Sequence, residues 1–140
     1  MPVIEQLEHS ADYYVRIVAD DAEDLFKGGL MSIVMYCVAD VDTLQSYNIT
    51  VSEPCKLSAE SIEELFVRFL NEILYKMDEK NAVFFDISIN RLTGNLLDAT
   101  IYGVSRSTVD MEREIKSATY HNLAIEQVMK KVTATVLFDV

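Results

Sequence analysis

The stretch SIEELFVRFLNEILYKM, residues 61–77, decides the fold class of this chain. Ser61 followed three positions later by Glu64 is a capping box, which starts a helix by satisfying backbone N–H groups that have no partner in the first turn. Behind it Ile62, Leu65, Phe66, Phe69, Leu70, Ile73, Leu74 and Met77 recur at helical spacing. A stripe that wide must be buried, so the segment reads as a helix lying across a sheet, its apolar residues core rather than a cofactor box. Downstream, residues 83–89, 97–104, 115–124 and 132–138 read as strands, with 91–95 a hairpin loop built on Gly94. The polar stretch SRSTVDMERE, residues 105–114, reads as an exposed loop.

Upstream of the helix, Tyr47, Ile49 and Val51 alternate through residues 47–53, and Pro54 is expected to end that strand because it has no N–H to donate. Earlier still, Asp20 and Glu23 resemble a capping box for a first helix whose apolar set runs from Ala22 and Leu25 to Cys37 at 3.6-residue spacing. The Gly28-Gly29 pair within it points to close backbone packing rather than a phosphate loop, since each mid-helix Gly costs roughly 0.5–1 kcal/mol relative to Ala. Residues 13–18 alternate with a period of two and form the first predicted strand. The expected architecture is α+β: one domain over residues 1–140, two helices packed on one side of a mainly antiparallel sheet.

Twelve Lys and Arg stand against 23 Asp and Glu in 140 residues, a net charge of −11. A field of that sign repels phosphate backbones and anionic lipid, so direct contact with nucleic acid or a membrane is disfavoured. Docking on a basic protein that itself holds RNA is not. The longest apolar run, residues 33–39, has 7 residues, far short of the ~20 that span a bilayer. With acids at the N-terminus where a signal peptide needs a basic start, the expected address is cytoplasmic. Cys37 and Cys55 have no second Cys or His at ligand spacing and read as reduced, structural thiols.

Dinucleotide, P-loop, nucleophile-elbow, zinc-protease and CxxC motifs are all absent from the sequence. Three places carry hydrogen-bonding or anionic groups beyond what packing needs. Glu8-His9-Ser10-Ala11-Asp12 precedes the first predicted strand; as plain structure, Ser10 or Asp12 forms a turn there and His9 is solvated. Lys116-Ser117-Ala118-Thr119-Tyr120-His121 is a strand with an unusual share of polar groups, which an edge position in a sheet also accounts for. The third is Val136-Leu137-Phe138-Asp139-Val140, an apolar strand running to the last residue. There the Asp139 side chain and the Val140 main-chain carboxylate offer hard anionic oxygens that Ca²⁺ or Mg²⁺ accepts. Against that stands the ordinary reading of a solvated Asp near a chain end.

These same places carry a resemblance. EHSAD (residues 8–12) resembles the E/D-H-T-A-D motif of the archease family, EIKSATYHNL (114–123) its E-V-K-A-(I/V)-T-Y-H-(D/N)-(L/M) motif, and LFDV (137–140) its terminal (I/P)-D-I. ADDAEDLF (19–26) and SIEELFVRFLNEILY (61–75) are similar to the family's two helix motifs, in the same order. The resemblance implies a small accessory protein of tRNA splicing and RNA repair that activates the RtcB-type ligase. That ligase uses GTP and Mn²⁺ to join RNA ends, and the activator promotes its guanylylation and repeated turnover. The resemblance also implies a divalent cation, calcium first with magnesium or manganese as alternatives, held by Asp12, Asp139 and the Val140 carboxylate. Ser10 keeps the hydroxyl of the family Thr, and Val140 keeps a main-chain carboxylate whatever its side chain. His9, Lys116, Thr119, Tyr120 and His121 match motif positions and are expected to support the site or contact the ligase, whereas residues 105–113 depart from the family pattern.

The expected function is therefore a non-enzymatic, metal-binding activator of an RNA ligase. One alternative is a chaperone-like modulator of tRNA-modifying enzymes. Another is a metal-dependent hydrolase built on Asp12 and Asp139, disfavoured because no general base with a recognisable partner is visible. From the net charge, the purified protein is expected not to retain tRNA in a filter-binding assay at physiological salt. Tight, salt-sensitive retention by the protein alone would overturn that expectation.

Overall fold

Both helices start on the same local chemistry. The structure, a computed structural model, describes residues 1–7 and 12–140, apart from the side chain of Asn122. Helix α1 (Ala22–Cys37) is capped by Asp21, whose carboxylate accepts the Asp24 N–H at 2.8 Å while Asp24 accepts the N–H of Asp20 at 2.9 Å. Helix α2 (Ile62–Lys80) repeats the arrangement: Ser61 accepts from the Glu64 N–H at 3.1 Å, and Glu64 accepts the N–H of Glu60 at 2.9 Å. The expected α1 cap, Asp20, is thus one residue early. Its carboxylate is drawn instead to Lys131 and to the Met1 amino group, 3.2 Å away, and these cations hold its pKa below the usual carboxylate range.

Among the described residues seven strands, all paired antiparallel, divide into two sheets. One has the order β1 (Val3–Leu7), β2 (Tyr13–Ala19), β7 (Lys131–Asp139), β6 (Ser117–Val128). The other has the order β3 (Val51–Ser58), β5 (Leu96–Ser105), β4 (Ala82–Leu92). The α+β class and the helices-on-antiparallel-sheet packing stand, but the helices do not lie on one side of a single sheet. Each contacts strands of both: α1 touches β2 and β4, and α2 touches β6 and β3.

Three strand boundaries differ from the sequence reading for identifiable reasons. β1 went unread because Val3, Ile4 and Leu7 are too few to set a period, and its pairing with β2 supplies what propensity does not. The strand expected at 47–53 begins only at Val51 and continues through Pro54, which sits opposite Thr100. β3 is an edge strand with one neighbour, where a missing N–H is tolerated. β6 starts at Ser117 rather than 115 and extends to Val128, closing on β7 through a turn with Met129 in the left-handed region at φ 56°.

One hydrophobic cluster joins the two sheets through the helices. Phe26 of α1 meets Phe66 and Phe69 of α2 at ring separations of 5.2 and 5.1 Å. The Gly28-Gly29 pair lets α1 press against neighbours on two sides. A Cβ on Gly28 would meet Ile17 at 2.6 Å, and one on Gly29 would meet Leu70 at 2.8 Å and Phe66 at 3.0 Å. The close-packing reading of that pair is therefore the right one. Ser32, the buried polar side chain among the described residues, donates to the Gly28 carbonyl at 2.8 Å. Both thiols are free and buried, and burial pushes Cys37 up to about 11 and Cys55 to about 12.

The stretch at 105–114 is not a free exposed loop. A 3₁₀ turn (Arg106–Thr108) is followed by a bridge between Met111 and Val38, and the Glu112 N–H donates to the Cys37 carbonyl at 2.7 Å. The Arg106 N–H donates to the Asn81 carbonyl at 2.9 Å, and Asn81 is the left-handed C-cap of α2. Polar composition concealed this because the segment docks through its main chain, which the sequence does not display.

The tightest steric constraint is at Gly103 of β5, where a Cβ would fall 1.8 Å from the Val83 carbonyl oxygen; at Gly94 nothing lies within 4 Å. Backbone cannot retreat as a side-chain tip can. Gly103→Ala is expected to cost roughly 3 kcal/mol or more in urea denaturation, and Gly94→Ala to stay within about 0.5 kcal/mol of the parent. Equal effects at the two positions would contradict the register described here.

Candidate functional site

β7 is the strand on which the candidate site depends, because it is paired on both sides. On one side Tyr13, the first residue of β2, faces Phe138, so that Asp12 immediately precedes the last residue pair between β2 and β7. On the other side Ser117 of β6 faces Asp139, and the Lys116 N–H donates to the Asp139 carbonyl at 2.8 Å. Three segments far apart in sequence thus meet at one sheet end. Asp139 is exposed there, and Val140 is half-buried and packs against the core.

The pairing that holds this end is aromatic as well as hydrogen-bonded. Tyr13 stacks on Phe138 at 5.4 Å and on Tyr36 of α1 at 4.4 Å, and the Arg113 guanidinium lies 4.6 Å from the Tyr36 ring centroid. Tyr13 donates its hydroxyl to the Ser32 carbonyl at 2.9 Å, and burial raises its pKa to about 12, so it stays a neutral donor. In the chain, Asp12 directly precedes Tyr13, the middle ring of the series, and Asp139 directly follows Phe138.

Of the other residues singled out from sequence, Lys116 and Thr119 belong to this end. The Thr119 hydroxyl donates to the Leu137 carbonyl at 3.0 Å and accepts the His121 N–H at 3.3 Å. Tyr120 and His121 do not join it. The β6–β7 register breaks between Thr119 and Ala124, and both side chains are exposed on the bulged edge, Tyr120 at 55%. β6 is indeed an edge strand, as its polar share allowed. His9 and the rest of the Glu8–Ala11 portion of the motif lie outside the described residues.

Among the described residues, no three His, Cys, Asp or Glu side chains come together as a metal cage. The acidic donors at this sheet end are the side-chain carboxylates of Asp12, just before β2, and Asp139, the last residue of β7. Both are hard anionic oxygens. That donor chemistry fits a calcium- or magnesium-like ion and does not fit a soft metal.

Asn71 was missed by the sequence reading. Its side chain donates to the Ala118 carbonyl at 3.1 Å and accepts the Ala118 N–H at 2.8 Å, pairing the edge of β6 as a neighbouring strand would. The available signal was slight: an uncharged amide in a helix whose other strongly polar residues are charged.

A family model described as the Archease protein family matches residues 4–140. Among curated proteins, the chain is similar to Protein archease of Pyrococcus furiosus, 28% identical over 128 residues that cover 88% of this chain and 87% of that one. It is also similar to Protein archease of Methanosarcina acetivorans, 26% identical over 142 residues covering 97% and 94%. Two solved structures share the fold. The solution structure of a Methanobacterium thermoautotrophicum protein aligns with TM-score 0.76 at 18% identity, covering 98% of each chain. The crystal structure of a Thermotoga maritima archease, described as a possible chaperone, aligns with TM-score 0.67 at 23% identity, covering 97% and 96%.

Replacing Asn71 by Ala removes both bonds to the edge strand and takes their partner from the N–H and carbonyl of the buried Ala118. The expected loss is roughly 1–3 kcal/mol in thermal or urea unfolding, with faster hydrogen exchange at the Ala118 amide. Unchanged exchange at that amide would show that the clamp contributes nothing.

Proposed function

The chain belongs to the Archease protein family, and from that premise we propose that it is a metal-binding accessory protein that activates the GTP-dependent, RtcB-type RNA ligase of tRNA splicing and RNA repair. It acts by promoting ligase guanylylation and multiple turnover, and carries out no chemistry of its own. The observation that supports the reading is the two-sided register of β7, which pairs Phe138 with Tyr13, the residue after Asp12, and pairs Asp139 with Ser117 in the Lys116–Thr119 segment. Asp12, Asp139 and that segment are the motif positions at which the family resemblance puts the metal and its surroundings.

Asp12, Asp139 and the Val140 carboxylate hold the divalent cation, calcium in the first instance. Carboxylates held about 4 Å apart repel by about 4 kcal/mol per pair at an effective dielectric of 20, so the cation relieves a local electrostatic load. When bound, the ion supplies a fixed positive charge on an otherwise acidic surface. Tyr13, Phe138 and Tyr36 keep the carboxylates in place, and the Asp139 carbonyl is held by the Lys116 N–H. The acidic surface favours a basic protein partner over RNA itself. No helix among the described residues is long and apolar enough to cross a membrane, and the proposed working place is the cytoplasm. A second reading, a chaperone-like modulator of tRNA-modifying enzymes, draws on the description of the Thermotoga maritima relative as a possible chaperone.

The test is ligation of cyclic-phosphate RNA with the ligase far below substrate, with and without this protein. The parent is expected to raise turnovers per ligase and to gain melting temperature on adding Ca²⁺, by mass action on the native state. Asp12→Ala, Asp139→Asn and a short C-terminal extension are expected to lose both effects while remaining folded, and Val140→Ile to keep both. Unchanged turnover with the parent overturns the activator reading. An extended protein that binds calcium and activates at the parental level overturns the terminal-carboxylate assignment.

A further inference from the structure

Next to the Asp139 end of the sheet, and sharing Lys116 with it, lies a cleft of about 290 Å³. It opens between the last turns of α1 and α2 and the docked segment that follows β5. Its floor is apolar, formed by Cys37, Met77, Met111 and Ile115, and two cations, Arg106 and Lys116, reach into its lining. The walls are held by main-chain bonds: Arg106 N–H to the Asn81 carbonyl, Glu112 N–H to the Cys37 carbonyl, and the Met111–Val38 bridge. The concavity is lined about equally by apolar and charged side chains, so it suits a ligand that has both an apolar body and a charged head.

Arg106 supplies the specific signal. Its side chain is only 22% exposed, yet its Nε–H is buried with no acceptor, the one such buried side-chain atom among the described residues. A guanidinium has five donors in a planar fork, and an orphaned buried donor in a native protein calls for a reason. One Nη2 bond, at 2.8 Å, goes to Asp78, whose side chain is 78% exposed. The ion pair is therefore lopsided: a rooted cation faces a carboxylate that water can solvate fully. Releasing Asp78 costs little, because exposed pairs contribute little. A ligand carboxylate or phosphate could take its place and gain a two-pronged contact that Asp78 does not make. Lys116 adds a second cation, against Glu114 on the same lining.

We infer that this cleft binds a small organic anion, a carboxylate or phosphate on an apolar body of about one ring, with Arg106 as the anion-binding residue, Asp78 as its stand-in, and the Met77–Met111 floor under the ring. The anionic head pairs with one edge of the planar guanidinium, where the Nε–H and an Nη–H lie side by side. The charge near the ligand is set by these side chains and not by the net −11 of the chain, since the lining holds two cations and two carboxylates.

The probes are phenylacetate and phenyl phosphate, with uncharged phenylacetamide as the isostere. They are titrated into the full chain labelled with ¹³C at the methionine methyls. Either anion is expected to shift the Met77 and Met111 signals together and saturably while Met1 and Met129 stay put, and the stronger of the two identifies the head group. Phenylacetamide is expected to bind at least tenfold more weakly. Arg106→Gln is expected to lose tenfold or more for the anion, and Arg106→Lys to recover part of it. Asp78→Asn, at an exposed position that does not threaten folding, is expected to tighten anion binding several-fold by freeing the guanidinium. An amide that binds as well as the acid, an Asp78→Asn variant that binds no tighter, or two anions that fail to move Met77 and Met111 each overturn the inference.

Discussion

The two-sided pairing of β7 is the constraint on which the rest of the molecule depends. A strand with neighbours on both edges has its register set twice, and a slip of one residue on either side would turn its apolar residues out of the core. Ala134, Val136 and Phe138 point into the cluster, fully buried. Their burial resists that slip with the free energy of several side chains, each worth roughly 1.5–3 kcal/mol. Because β2 and β6 are locked to β7, the residue before β2, the last residue of β7 and the entry to β6 have no freedom to drift apart. A site made of chain ends becomes as rigid as a site made of strands.

What presses the sheet end against the helices is an aromatic stack rather than a hydrogen bond. Phe138, Tyr13 and Tyr36 succeed one another from β7 through β2 to α1, and Arg113 closes the series from the docked segment. Buried rings carry large apolar area with little conformational freedom to lose. The stack therefore joins the first sheet, the first helix and the segment after β5 at a single point. On the outer edge of the same sheet, Asn71 performs a complementary task, giving the open edge of β6 at Ala118 the partners that another strand would supply. An edge managed in this way is closed to chance pairing near the site and left open at the bulge around Tyr120 and His121.

Charge is neutralised locally at the opposite end of β7, where Lys131 begins the strand, and beside the second sheet. Asp20 and Asp24 gather the Met1 amino group, and Asp20 also holds Lys131, so acids at the start of α1 are neutralised locally. Lys76 bridges Glu53 and Glu79 beside the second sheet. The cations thus serve structure where acids crowd together, and the net charge of −11 is carried by the exposed remainder. A surface of that kind repels phosphate and attracts cations and basic proteins at long range, with a reach that salt shortens.

Much of this was legible from residues alone, wherever the information is local. Ser61 and Glu64 announced α2, the alternation at residues 13–18 announced β2, and the Gly28-Gly29 pair announced a close approach, because caps, periods and missing side chains act within a few residues of themselves. Asp139 read as a hard oxygen donor for the same reason, since donor chemistry belongs to the side chain, whereas Asp12 read locally as a turn former and as a ligand only through the family resemblance. Sequence could not say that the strands form two sheets, that Pro54 lies inside an edge strand, that residues 105–114 dock by their main chain, or that Asn71 clamps Ala118. Each of those depends on which backbone groups remain unpaired once distant segments have packed. Sequence by itself determined the elements and the chemistry available at their ends, since propensity, capping and charge are properties of neighbouring residues. The tertiary structure alone decided which ends meet, because strand register and helix approach are settled by the burial of apolar side chains contributed from both ends of the chain.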